Sequence, residues 1–236
     1  MSGLSIAKSL ELHLMHPGLT RDDVAAGCER AADLHLASVL VAPVHVAVAA
    51  RALSGRDTRV CAAIGTPWGS DLLATRLHAL DHARSSGADT VAIALDHSRL
   101  IAGDVSGAAA ELSAILEHVG WASLVTTRGH GTVTIVAETM SCDCQLFAPW
   151  FARFAESPAT LLQTSSGFGQ EAITEDHIRL VRDLLPAEVG ITAVGHIATL
   201  EDAAGLVNAG AVRIGTRSAL AIAERERALR EERLSR

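Results

Sequence analysis

Between residues 160 and 218 the chain reads TLLQTSSGFGQ and then VGITAVGHIATLEDAAGLVNAGAVRIGTRSA, and reactive side chains gather where its apolar segments end. Ser166-Gly167, Gly195 and Gly215-Thr216 place small residues where backbone N–H groups can approach an anion, and Arg217 adds a positive charge. His196 can exchange protons near neutral pH, oriented by a carboxylate such as Glu138 or Asp96 at the ends of two earlier apolar segments. The amide of Gln163 can donate to a carbonyl oxygen and stabilise negative charge developing there, and the Thr192 hydroxyl can do the same with less reach. Glu11 and His13, two residues apart in the first apolar segment, complete the candidate set. Each also has a structural reading: His196 as a space-filling group, Glu138 as a buried carboxylate bonded to backbone, and Asp96 as a cap on the turn at His97-Ser98.

Glu11, His13, His16, Asp96, Glu138 and His196 include side chains able to surround a divalent metal, but no compact ligand motif unites them. Cys142-Asp-Cys144 lacks a second pair, so neither a resident metal nor a cofactor is expected. His45, His97 and His130 lie near strand ends or loops and rank below the main set, while His78 and His82, four residues apart on a helix, are expected to be exposed.

The elements that must position these groups alternate. Short apolar strands are expected near 8–14, 37–42, 59–64, 90–95, 132–138, 160–164, 190–195 and 211–215, each rich in the Val, Ile, Leu and Ala that two-sided burial in a parallel sheet requires. Helix starts are marked by Thr20 with Asp23, Ser70, Thr174, and Thr199 with Asp202, whose hydroxyls can accept from free first-turn N–H groups. Gly87 and Gly210 fall where helices should close in the left-handed conformation. Eight strand–helix repeats point to a (β/α)8 TIM barrel, with the reactive residues at the carboxyl ends of its strands, where such barrels build their sites. The final helix, 216–233, ends in a charged run that reads as a solvated face.

The segments from Gln163 to Gly169, from Val189 to Ile197 with Thr199-Leu-Glu-Asp-Ala, and Arg213-Ile-Gly-Thr resemble the last three strand ends of deoxyribose-phosphate aldolase. Pro17 with Leu19-Thr20, Ile64-Gly-Thr-Pro-Trp-Gly, Gly87-Ala-Asp and Val136-Ala-Glu-Thr extend the resemblance over nearly the whole chain, which implies a class I aldolase-like barrel and often a homodimer. The family's imine-forming lysine, its second lysine and its aspartate fall at Gln163, Thr192 and Ala92, none of which can form an imine. Lys8 is the single lysine among 20 Lys and Arg side chains. His196 stands where the family carries a second glycine beside its phosphate. Taking parity from the family's inward lysines, Thr192, Val194 and His196 face inward, as do Ala92, Ala94 and Asp96, then Thr134, Val136 and Glu138, with Glu11 and His13 in the first strand.

The remaining bounds come from composition. With 236 residues and 49% hydrophobic content, one barrel domain over 1–236 is expected. A net charge of −7 without a basic stripe gives no reason to expect nucleic acid or anionic membranes as partners. Cys28, Cys61, Cys142 and Cys144 show no framework spacing and the first residues show no signal peptide, so a cytoplasmic setting is expected. Leu36 to Ala50, the longest apolar run, is too short to span a bilayer. The function expected is lysine-independent acid–base chemistry on a small carbonyl-containing metabolite: aldol-type bond formation or cleavage, cyclisation or isomerisation, in specialised biosynthesis. A non-catalytic ligand-binding or regulatory protein, or a metal-assisted lyase, are the alternatives.

Overall fold

A computed structural model describes residues 5–119, 125–126, 129–130, 133–141, 144–151, 160–169 and 172–235. The strands are β1 (Leu10–Leu14), β2 (Ser38–Val41), β3 (Arg59–Ile64), β4 (Thr90–Ala94), β5 (Val125–Thr126), β6 (Gly129–His130), β7 (Val133–Val136), β8 (Thr160–Gln163), β9 (Gly190–Val194) and β10 (Arg213–Thr216). Eight of them close into a parallel barrel in the order β1-β10-β9-β8-β7-β4-β3-β2, and β5 with β6 forms a separate antiparallel ribbon. The expected (β/α)8 barrel is therefore present, with several strand ends shorter by one or two residues and the last strand running one residue further, to Thr216. Lys8 leads into β1 within a short 3-10 helix, Ile6–Ser9, and residue 132 of the expected fifth barrel strand lies outside the described residues.

The helices are α1 (Arg21–Asp33), α2 (Val46–Ala52), α3 (Leu73–Ser85), α4 (His97–Ile101), α5 (Val105–Val119), α6 (Ala148–Phe151), α7 (Glu175–Leu184), α8 (Leu200–Asn208) and α9 (Ala219–Leu234). Thr20 with Asp23 and Thr199 with Asp202 form reciprocal capping boxes, and Thr174 accepts from the His177 N–H, as their spacing requires. Ser70 caps nothing. Helix α3 begins three residues later behind Leu72, with no side-chain cap, because the β3–α3 loop first folds back over the end of β4. Gly87 and Gly210 have φ of +101° and +118°, the conformation that closes α3 and α8 without a side-chain clash.

Side chains alternate across the wall. Leu40, Cys61, Ala63, Ala92, Ala94 and Val136 pack together as an inner apolar cluster that fills the β2–β7 half of the barrel, with Met15 against it. The other half is polar, since Glu11, His13, Gln163 and Thr192 are all buried there. The larger apolar cluster lies outside the strands, where Val39, Val41, Ile93, Ile135 and Ile191 meet the helices. A buried ion pair between Arg76 on α3 and Glu111 on α5 clamps the carboxyl end of β4. Arg76 Nη1 donates to the Ala94 carbonyl at 2.5 Å, and the Asp96 N–H donates to Glu111 at 3.3 Å. Among the described residues no helix is long and apolar enough to cross a membrane.

Candidate active site

The carboxyl ends of β1, β8, β9 and β10 surround a cavity of about 270 Å³. His13, Gly167, Val194, His196, Gly215 and Arg217 are among its walls. His13 comes from the middle of β1, where side-chain parity aims it into the barrel beside Glu11. Its Nε2 lies 3.2 Å from Glu11 Oε1. Glu11 Oε2 accepts from the Ser38 hydroxyl at 2.6 Å and stands 3.9 Å from Arg213 Nη1. Burial pushes the Glu11 carboxyl up, but the bond from His13, the charges of Arg213 and His13 and the Ser38 hydroxyl outweigh it, so its pKa falls below the ordinary value. With Nε2 facing Glu11, the other ring nitrogen, Nδ1, is the atom turned toward Gly167 and the cavity.

Gly215 is small for a reason of contact. A Cβ built there would stand 2.3 Å from His13 Nε2, so the imidazole packs directly against that stretch of β10 backbone. The Thr216 hydroxyl donates to the Ile197 carbonyl at 2.7 Å and accepts from the Ser218 N–H, tying the ends of β9 and β10 together.

The remaining candidates fall into different roles. His196 follows the last residue of β9, is exposed at the cavity mouth, and makes no hydrogen bond or ion pair among the described residues. Neither expected carboxylate partner is bonded to it. Glu138 Oε1 is buried and accepts from the Ser166 N–H at 2.7 Å. Asp96 does not continue the inward side of β4, which ends at Ala94; it caps α4, accepting from the Ser98 N–H and hydroxyl, and pairs with Arg99. Those bonds hold its carboxyl below the usual range against the opposing effect of burial. His97, ranked low from sequence, is held below the ordinary histidine value by burial, against the raising charges of Glu138 and Asp96. Its Nδ1 is buried without a partner. Only the register of β4 against β7 brings His97 near Glu138, and nothing local to residue 97 signals that proximity.

Gln163 and Thr192 are paired across β8 and β9 and point inward, one layer beneath Ser165 and Val194. Gln163 Nε2 donates to the Ser165 carbonyl at 2.6 Å, which fixes the amide orientation and leaves Oε1 facing the interior. That oxygen and Thr192 Oγ1 are buried and unpartnered. The atom that Gln163 presents is thus an acceptor, where the sequence reading has an amide donor. Lys8 lies at the opposite end of the barrel, its Nζ 2.5 Å from Asp57. Cys142 lies outside the described residues; Cys144 is buried, with Sγ donating to the Thr139 carbonyl and 3.8 Å from His177 Nε2.

Fold and site together define a (β/α)8 barrel in which His13, backed by Glu11, lines the cavity at the carboxyl ends of the strands. Comparison with known proteins gives the lineage: the chain is 29% identical over 222 residues to deoxyribose-phosphate aldolase from Thermoanaerobacter sp. (strain X514), covering 94% of this chain and 96% of that one. It is 26% identical over 224 residues to the enzyme of the same name from Clostridium perfringens, covering 95% and 96%. Among solved structures, QR15, described as an aldolase, superposes with a TM-score of 0.85 at 23% identity over 98% of this chain and 99% of that one. The deoxyribose phosphate aldolase from Aeropyrum pernix, described as having a unique tetrameric structure, gives 0.83 at 22%, over 95% and 92%. No family model matches the chain. The chain is a divergent relative of the deoxyribose-phosphate aldolases.

Proposed function

We propose that this barrel performs general acid–base chemistry on a small carbonyl compound, of aldol, cyclisation or isomerisation type, without a lysine imine. The observation that carries the reading is the Glu11–His13 couple, whose free nitrogen Nδ1 is turned toward the cavity. Its Nδ1 removes a proton from the carbon beside the carbonyl, and the Glu11 carboxylate stabilises the imidazolium that forms. Arg217 and His196 at the mouth supply donors for the oxygen on which charge develops, and His196 returns the proton. Glu138 acts on this site through the backbone, by holding the Ser166 turn. The lysine-free mechanism is supported by the position of Lys8, the chain's single lysine, at the far end of the barrel. A kept frame with an exchanged catalytic set suits a specialised biosynthetic step, and self-association as a homodimer is the assembly the resemblance favours.

The test is exchange of carbon-bound protons of small aldehydes and ketones into deuterated water. Wild type is expected to catalyse it, His13→Gln to lose about 10²- to 10⁴-fold, and borohydride to trap no adduct at the cavity. An adduct trapped there, rather than on the exposed Lys8, overturns the lysine-free mechanism. A second reading, ligand binding without turnover, draws on the unpartnered Gln163 Oε1 and Thr192 Oγ1 and on the lack of a carboxylate bonded to His196. Ligand-induced amide shifts around the cavity with no exchange would establish it.

A further inference from the structure

Glu11 is buried in the barrel, and a carboxyl in such a place takes up a proton unless a cation and donors hold it ionised. Neighbouring side chains do so here. The Ser38 hydroxyl donates to Oε2 at 2.6 Å, His13 Nε2 lies 3.2 Å from Oε1, and Arg213 Nη1 stands 3.9 Å from Oε2. Arg213 is the first residue of β10, two positions before Gly215, so parity puts its side chain on the barrel-facing side, where the position of Gly215 meets His13. Burial raises the Glu11 carboxyl, and the His13 bond followed by the charge of Arg213 brings it below its ordinary value. Cys61 faces the same carboxyl from β3, and burial pushes its thiol up and keeps it neutral. Arg59 shares the inner side of β3 by parity, but the charges that lower Glu11 are those of Arg213 and His13. Helices α1 and α9 pack on the opposite face of β1, which carries Leu10 and Leu12.

The charge state of Glu11 decides which nitrogen of His13 is basic. An ionised carboxylate only accepts, so Nε2 opposite it carries the ring hydrogen, and Nδ1 on the cavity side keeps a free lone pair. A protonated carboxyl can donate to Nε2 instead. The hydrogen of the neutral ring then sits on Nδ1, and that nitrogen is no longer a base. We propose that Arg213 is a positioning residue for this site: its charge keeps Glu11 an acceptor, and so keeps Nδ1 of His13 bare where it faces the cavity. Arg213 is not among the cavity walls, and it acts through Glu11 alone. This rests on the catalytic reading above and adds to it the residue that sets the tautomer of the base.

The experiment follows two signals against pH in the full-length protein. One is the nitrogen resonances of the His13 ring, which tell a bare nitrogen from one that carries hydrogen; the other is exchange of carbon-bound protons of small aldehydes and ketones in deuterated water. Arg213→Met removes the cation beside Glu11, so the couple holds a proton more tightly. Hydrogen is expected to appear on Nδ1 at a pH about one to three units above that of wild type, and the pH at which exchange falls off is expected to rise with it. Should that variant fail to fold, Arg213→Gln removes the charge but keeps a polar head, with the same shift expected. Ring nitrogens that titrate as in wild type overturn the inference. So does exchange reduced equally at every pH, which a merely structural role would give. Wild type without exchange strikes the catalytic reading, and the ring nitrogens then decide the part of Arg213 by themselves, because they are read without substrate.

Discussion

At the scale of single residues, the site depends on one imidazole held between a carboxylate and a glycine. His13 reaches Glu11 through Nε2 and lies over Gly215, where even a methyl group would stand 2.3 Å from that nitrogen. Gly215→Ala is therefore expected to push the ring off Glu11 and to lower carbonyl proton exchange about as much as His13→Gln does, with the circular dichroism of the barrel unchanged. Exchange at the wild-type rate would show that the couple is not what performs the step. The alternation of Glu11 and His13 was legible as an inward pair because side-chain parity along a strand is a local property. What residue 196 would meet was not legible, because His196 follows the end of β9 and its surroundings are set by where the chain turns. Asp96 shows the same limit: extending β4 by two residues makes it a barrel-facing acid, whereas the strand stops at Ala94 and the carboxylate caps α4.

At the scale of elements, the fold was most legible where the signal is short-range. Thr20 and Thr199 mark their helices because a hydroxyl, an N–H three residues on and a returning aspartate form one closed unit. Ser70 has the right residue type without that unit, and helix α3 starts elsewhere. The clamp on β4 was not legible at all, since Arg76 and Glu111 are 35 positions apart and meet only after two helices have packed. Removing one partner strands the other charge in a buried setting, so Arg76→Met is expected to cost about 3–5 kcal/mol in denaturant unfolding. Replacing both, as Arg76→Met with Glu111→Leu, is expected to recover much of that loss, because no buried charge is then left without its partner. A single variant as stable as wild type would show the pair to be solvated.

At the scale of the whole molecule, stability should fall on acidification in two windows. Glu11 has its pKa lowered in the folded state, so its contribution is complete above the ordinary carboxylate range and is lost as pH falls through the lowered folded value. His97 is also held below its ordinary value. The unfolded chain therefore takes up that proton first, and the penalty sets in as pH drops below the usual histidine range and is complete below the folded value. Melting temperatures measured against pH should show both declines, with His97→Gln removing the upper one and Glu11→Gln flattening the lower. An upper decline that survives His97→Gln would assign it to another group.

The solitary ammonium of Lys8, half exposed beside Asp57 below the first strand, also gives the molecule a chemical direction. Reagents that couple to side-chain amines have one place to attach. A resin or electrode joined through that side chain would hold the protein by its base, leaving the reactive opening turned outward to the flow.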